Sequence, residues 1–181
     1  MKEFLLYQSP LGDMILAASE KGLCGVWFAG QKHLPDFSTW TKAERNPLLK
    51  ETRQALSGYF SSKGQTFDLP LDLADGSEFQ QKVWRALQRI APGKTTTYSD
   101  IARRIGKPSS VRAVAAAIGR NPLSIIVPCH RVIGRDGSLT GYAGGLQRKA
   151  ALLALEAGYP ASAASKGLSK GLPKRHDAAT A

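Results

Sequence analysis

The sequence predicts an α+β protein whose strands come first and whose helices come second. Three observations carry that prediction. Short apolar runs separated by turn residues fill the first 30 positions, a strongly 3.6-periodic segment opens at Ser77, and two short helical segments joined by a glycine-containing turn follow it. The early runs are residues 4–7 (FLLY), 14–17 (MILA) and 23–28 (LCGVWF), divided by SPLGD and SEKG, which reads as a β-meander. Cys24 lies inside the third run and is expected to pack in the core. Residues 31–45 are polar and read as irregular. Asn46-Pro47 then supplies a cap and first-turn proline for a helix through about Phe60, with Leu48, Leu49, Leu56, Tyr59 and Phe60 as its apolar positions. A further strand is expected at 66–69 (TFDL), and residues 70–76 read as a linker.

In the second half, Ser77 is expected to cap a helix with Phe79, Val83, Trp84, Leu87 and Ile90 on one face, ending at Pro92-Gly93. Residues 95–98 read as extended. Ser99 or Asp100 is expected to cap a short helix through Ile105, Gly106-Lys107-Pro108 turns the chain, and Ser109 is expected to cap a helix to about Gly119. The pair is a helix-turn-helix candidate. Its second helix, SSVRAVAAAIG, is smooth with alanine and carries one long cation, Arg112. Base reading in the major groove calls for Asn, Gln or several Arg. This helix suits a sequence-blind reader that tracks the backbone and inserts a single side chain.

Composition narrows the partner. Lys+Arg number 25 against 14 Asp+Glu, a net charge of +11, of which +3 falls within 161–181 and the remaining +8 in the body. That excess points to a polyanion, and nucleic acid is the favoured one. No run of about 18 apolar residues is present and the start lacks a signal-peptide pattern, so a soluble intracellular protein without membrane contact is expected. Only two cysteines occur, in unlike contexts, which argues against a disulfide framework. The three histidines, at 33, 130 and 176, show no spacing for structural zinc.

The chemistry centres on Pro128-Cys129-His130-Arg131, after the apolar run 123–127. Val127 precedes a proline and is biased to extended backbone, so the thiol is expected where an extended segment ends, with polar residues following. A packed, inert cysteine is the plainer reading. The setting favours a reactive one.

Several ordered segments now point the same way: Phe79-Gln-Gln-Lys-Val-Trp84-Arg-Ala-Leu87, Gly93-Lys-Thr-Thr-Thr-Tyr98, Arg112-Ala-Val114 with Arg120-Asn121-Pro122, Ile126-Val-Pro-Cys-His-Arg131 with Val132-Ile-Gly134, Gly141-Tyr142-Ala-Gly-Gly145, and Leu152-Leu-Ala-Leu-Glu156-Ala-Gly158. Through them the chain resembles the O6-alkylguanine-DNA alkyltransferases, direct-reversal DNA repair proteins, over nearly all of residues 1–160. The resemblance implies a small ribonuclease H-like α/β domain at 1–75, a helical domain with the helix-turn-helix and active site at 76–160, and a disordered basic tail at 161–181.

The implied activity is single-turnover, irreversible transfer of the alkyl group from O6-alkylguanine, and O4-alkylthymine, in double-stranded DNA to Cys129. It proceeds by minor-groove docking and base flipping, with no cofactor and no metal. By the same resemblance His130 and Glu156 form a relay through a water that generates the thiolate, and Tyr98 helps rotate the nucleotide and donates a proton to the purine. Arg112 fills the vacated stack, and Asn121 is the hinge tying the helix-turn-helix to the active-site segment. Ser109, Ala113 and Ala116 join Arg112 and Tyr98 in the DNA-binding set. Tyr142 walls the pocket, backbone groups of Val132 and Ala143 address the guanine edge, and Ser124 is expected on the pocket rim. The family often has serine where Ala143 stands. Some members hold a structural zinc in the first domain, but its ligands are missing here. A monomer in solution is expected, with cooperative assembly on DNA left open. Three rivals are weaker: a Cys-His hydrolase lacks an acyl-binding motif, lesion sensors on this scaffold replace the cysteine, and a helix-turn-helix regulator is disfavoured by the alanine-rich second helix.

Overall fold

The computed structural model describes residues 1–159; the expected tail at 161–181 lies outside them. Strands β1 (Glu3–Ser9), β2 (Gly12–Ser19) and β3 (Gly22–Phe28) form the expected antiparallel meander, with Leu5 opposite Leu16 and Leu16 opposite Val26. Gly12 opens β2 at φ +117°, a conformation other residues rarely adopt. Within the irregular interval a two-residue strand, β4 (Thr41–Lys42), pairs in parallel with β1, giving the order β3-β2-β1-β4. Alternation along the strands divides the apolar residues between two faces. Leu5, Leu16 and Val26 belong to the main core, while Ile15, Ala17, Cys24 and Trp27 form a second cluster with Phe4, Leu34, Phe37 and Trp40. Cys24 is thus a packed thiol, pushed up to about 11 chiefly by burial.

Helix α1 (Pro47–Phe60) starts as its sequence dictates: the Asn46 side chain accepts from the Leu49 N–H at 3.1 Å, and Pro47 occupies the first turn. It buries Leu49, Leu56, Tyr59 and Phe60. The strand expected at 66–69 is not formed. Contact with the sheet is limited to one parallel bridge, Leu23 to Leu71, with the Leu23 N–H on the Pro70 carbonyl at 2.8 Å and the Asp72 N–H on the Leu23 carbonyl at 2.8 Å. Pro70 has no N–H, so it cannot donate to a ladder extended towards residue 66.

Helix α2 (Glu78–Leu87) begins with a complete capping box between Ser77 and Gln80. The helix-turn-helix is α3 (Tyr98–Arg104) and α4 (Val111–Gly119). The caps differ from expectation by one or two residues. Thr97 caps α3, exchanging hydrogen bonds with Asp100, so Tyr98 sits in the first turn. Ser110 stands at the start of α4 without a side-chain cap bond, and Ser109 lies outside the helix. Trp84 fixes α2 to α4, its Nε1–H donating to the Ala117 carbonyl at 2.8 Å. Strands β5 (Thr96–Thr97) and β6 (Val132–Ile133) pair in parallel beside the active-site segment.

The apolar run 123–127 is not a strand. Leu123 makes one bridge to Val26, the Val127 N–H returns to the Leu123 carbonyl at 2.8 Å, and Ile125 is held at φ +73°. The run is apolar because it is a buried turn. Cys129 consequently opens a 3-10 turn, Cys129–Arg131, rather than ending an extended segment. Helix α5 (Leu146–Glu156) closes the described chain. One continuous core runs from Leu5 in β1 through Tyr59 and Trp84 to Leu155 in α5. Among the described residues no helix is long and apolar enough to cross a membrane.

Candidate active site

Asn121, just after α4, organises the loop that carries the thiol. Its side-chain N–H group donates to the Val127 carbonyl at 2.8 Å and to Cys129 Sγ at 3.1 Å, while its carbonyl oxygen accepts from the Leu123 N–H at 3.0 Å. One amide thus ties the end of the helix-turn-helix to the sulfur. Cys129 is buried, and burial pushes its thiol above the usual range, opposed by the Asn121 hydrogen bond and the charge of Lys149. The resting sulfur is therefore protonated at neutral pH.

Behind it lies a buried charged cluster. His130 Nε2 meets Glu156 Oε1 at 2.7 Å. Arg131 forks onto the same carboxylate, Nε to Oε2 at 2.9 Å and Nη2 to Oε1 at 2.8 Å, and also donates to the Ile90 carbonyl. The Tyr59 hydroxyl from α1 donates to Oε1 at 2.9 Å, and the Gly93 N–H donates to Oε2 at 3.2 Å. Burial alone would raise the carboxyl of Glu156, but the hydrogen bonds and charges of His130 and Arg131 outweigh it and hold the group below the usual carboxylate range. An ionised carboxylate only accepts, so the ring hydrogen of His130 must be on Nε2. Its Nδ1 lone pair is buried and has no hydrogen-bond partner among the described residues. Burial, joined by the charges of Arg131 and Lys149, lowers the pKa of His130 despite Glu156, so the imidazole is neutral and able to take a proton. Among the described residues the His130 ring makes no hydrogen bond to Sγ; the side chain that donates to the sulfur is Asn121, joined by the backbone of Cys129 and His130.

A cavity of about 360 Å³ is bounded by Tyr98, Ile118, Tyr142, Ala143, Lys32 and His33 among others. Cys129 is not part of that lining. Tyr98 and Tyr142 are, and both lie within electrostatic reach of it. The Tyr98 hydroxyl donates to the Thr140 carbonyl at 2.7 Å, and burial raises its pKa, keeping the phenol protonated. The Tyr142 hydroxyl is buried beside the Ser124 side chain, and burial raises its pKa well above the usual range. Ala143 lines the cavity, with its carbonyl taken by the Lys32 N–H at 3.1 Å. Val132 is buried at the start of β6, its N–H on the Cys129 carbonyl. Ser124 is buried, with its N–H on the Val26 carbonyl at 2.9 Å and its side chain between Gln31 and the cavity-lining Tyr142.

The outer face of α4 matches the smooth surface its alanines predict. Arg112, Ala113, Ala116 and Arg120 are exposed, with Ser109 beside them, whereas Val114, Ala117 and Ile118 are buried. Positive charge concentrates in this half: residues 76–160 carry 13 Lys+Arg against 4 Asp+Glu, and residues 1–75 carry 8 against 9.

Three participants escaped sequence reasoning. Arg131 and Tyr59 complete the Glu156 cluster. Lys149 is buried, its ammonium donating to the Thr140 carbonyl at 2.8 Å and the Gly141 carbonyl at 3.3 Å, 5.9 Å from the centre of the Tyr98 ring. Burial brings it down to about 8, opposed by Cys129. The one available signal was a lysine on the apolar face of α5, between Ala150 and the Gly144-Gly145 pair. Among the described residues no group of three or more His, Cys, Asp or Glu gathers into a metal site.

Comparison with known proteins agrees over almost the whole described chain. The family model for the 6-O-methylguanine DNA methyltransferase ribonuclease-like domain matches residues 4–73, and that for the DNA binding domain of the same family matches residues 78–158. The chain is 46% identical to a methylated-DNA--protein-cysteine methyltransferase of Mycolicibacterium paratuberculosis over 156 residues, covering 86% of this chain and 93% of that one. It is 47% identical to the protein of the same name from Methanosarcina barkeri, covering 83% and 94%. Its fold is similar to the crystal structure of Mycobacterium tuberculosis OGT in complex with DNA, with a TM-score of 0.84 and 41% identity over 90% of this chain and 98% of that one.

Proposed function

The chain belongs to the 6-O-methylguanine DNA methyltransferase family, and on that footing we propose that it repairs duplex DNA by moving the alkyl group of O6-alkylguanine to Cys129. Residues 1–75 serve as scaffold and residues 76–160 as the DNA-binding and reacting unit. The observation that carries the reading is the ordered His130–Glu156 pair behind a sulfur whose own donor is Asn121.

The chemistry is displacement at an sp³ carbon. The S–C bond forms as the C–O6 bond breaks, and the bonding pair leaves on the purine. A neutral thiol is a poor nucleophile, so the proton leaves Sγ during the reaction, towards the free lone pair of His130. Glu156 stabilises the imidazolium that results. Asn121 and Lys149 stabilise the thiolate, one by a hydrogen bond and one by charge. The purine takes one proton in exchange, from the Tyr98 hydroxyl, which turns from the Thr140 carbonyl to the ring and is re-protonated from solvent. The sum is alkyl out, hydrogen in. The thioether product is not reversed, and each molecule acts once.

The reacting carbon lies within the base stack, and a buried sulfur cannot reach it there. Rotating the nucleotide out costs roughly a few kcal/mol, least for a damaged pair. The exposed alanine face of α4 lets backbone approach the minor groove closely, and Arg112 fills the vacated stack. The protein acts as a monomer within the cell, on genomic DNA.

Incubation with a duplex carrying O6-methylguanine, followed by peptide mass mapping, is the test. One persistent methyl group on the Cys129 peptide is expected, and none in Cys129→Ala, which still binds the duplex because Asn121 keeps its bonds to Val127 and Leu123. Turnover with an unmodified Cys129, or binding lost together with transfer, contradicts the reading.

A further inference from the structure

The buried cluster behind Cys129 takes one of its donors from the amino-terminal half. Tyr59, near the end of α1, sets its hydroxyl 2.9 Å from Glu156 Oε1. Its ring is fully buried and held by neighbours from its own half, 5.5 Å from the Phe60 ring and 5.7 Å from that of Phe67. Burial, with the charge of Glu156 next, pushes the phenol well above its usual range, so it stays protonated and donates. The alkyl transfer proposed above uses Cys129, His130 and Glu156 but gives this hydroxyl no part.

Glu156 Oε1 is oversubscribed. It accepts from His130 Nε2 at 2.7 Å, from Arg131 Nη2 at 2.8 Å and from Tyr59. A carboxylate offers about four lone-pair sites over its two oxygens, roughly two on each. Three donors therefore divide the negative charge of one oxygen, and each weakens its hold on the others. The charges acting on the His130 ring are those of Glu156 and Lys149 from α5 and of Arg131 beside it. Tyr142 also lies within electrostatic reach of Glu156. Glu156 favours the imidazolium, whereas Arg131 and Lys149 oppose it. Whatever draws charge from Oε1 thus makes the ring a poorer proton acceptor. A sulfur that can be used only once gains from this, because an early thiolate is open to oxidants and stray electrophiles.

We infer that Tyr59 is a positioning residue acting through Glu156: its hydroxyl takes up part of the Oε1 charge, restrains the pull on the Nε2–H of His130, and so helps to keep the resting Cys129 a thiol. The amino-terminal half thereby tunes the reactivity of the carboxyl-terminal one. No step is added, since the Sγ proton still passes to His130 Nδ1 as the S–C bond forms. The inference rests on the transfer reading, in which His130 receives that proton.

The test combines the NMR resonance of the His130 Nε2–H with single-turnover transfer from an O6-methylguanine duplex at pH 7. Three proteins are compared: the parent, Tyr59→Phe, which removes only the hydroxyl, and a form with 3-fluorotyrosine in place of Tyr59, whose phenol is the stronger donor. In Tyr59→Phe the resonance should move downfield, as His130 gains a larger share of Oε1, and transfer should speed up by about two- to fivefold. With 3-fluorotyrosine the resonance should move upfield and transfer should slow. A side chain that only packs the two halves together gives no such pair of opposite signs. An unmoved resonance, equal rates in all three proteins, or changes of the same sign in both variants overturn the role of Tyr59 while leaving alkyl transfer intact. Should Tyr59→Phe fail to fold, the fluorotyrosine protein decides alone, by the same two readings. A parent that leaves Cys129 unmodified overturns the transfer reading itself, and this inference with it.

Discussion

Replacing Glu156 by Gln puts the buried cluster under direct strain. The carboxylate accepts from Tyr59, His130, Gly93 and twice from Arg131. A neutral amide leaves the Arg131 guanidinium, 4% exposed, without its counter-charge, and turns an NH₂ group towards surrounding donors. Removing one partner of such a pair costs about 3–5 kcal/mol. That is a large share of the roughly 5–15 kcal/mol that holds an ordinary domain together. At about 2–4 °C per kcal/mol for a chain of this size, the melting temperature at pH 7 should fall by about 6–20 °C. Because Tyr59 belongs to α1 and Glu156 to α5, the loss loosens the two halves from each other.

The same substitution frees the His130 tautomer, and transfer should slow by about 10²–10⁴-fold in the folded protein. Circular dichroism melts and single-turnover transfer measure the two effects. Arg131→Met added to Glu156→Gln removes the orphaned charge and should recover at least part of the lost melting temperature. The sign with pH is fixed: the folded carboxyl lies below its unfolded value of 4.5, so its stabilisation is complete above that pH and is lost as pH falls through the folded value. The gap between parent and Glu156→Gln should therefore narrow in acid. A melting temperature within about 2 °C of the parent, or a double variant no more stable than Glu156→Gln, would refute this account of the cluster.

Two further outcomes follow from other parts of the site. Arg112→Ala should slow repair in duplex by about tenfold or more while leaving reaction with free O6-alkylguanine base near the parent rate, since stack filling offsets an unstacking cost of a few kcal/mol; equal slowing of both substrates contradicts that role. The transfer rate should show no inflection at the ordinary histidine value of 6.5, because His130 is neutral below it, and should decline above about pH 8 as Lys149 loses its charge while the thiol is still protonated. Rates measured from pH 6 to 9.5 that rise steadily past 8 would show that sulfur loses its proton to solvent rather than to the imidazole.

Local chemistry made the elements legible in the sequence. Turn residues delimit the meander, Asn46-Pro47 starts α1 and Ser77 with Gln80 starts α2, because these signals act over three or four residues. The exposed alanine face of α4 was readable for the same reason. Non-local pairing produced the misreadings. The segment 66–69 has strand composition but no ladder, since a sheet edge and Pro70 decide whether it pairs. The run 123–127 is apolar because it is buried, and burial alone does not distinguish a strand from a compact turn.

The order of motifs along the chain, through the family resemblance, singled out Cys129, His130 and Glu156 and the alkyl-transfer chemistry. Tertiary structure alone decided the state of those groups. Tyr59 reaches Glu156 across 97 residues of chain, and the side chain that donates to Sγ is that of Asn121 rather than the His130 ring. Lys149 acts on the sulfur through space from α5, and Lys32 closes the cavity from the other half of the molecule. Motifs record which residue types the reaction needs. Protonation and specificity depend on distance and burial, which arise only when remote segments pack together.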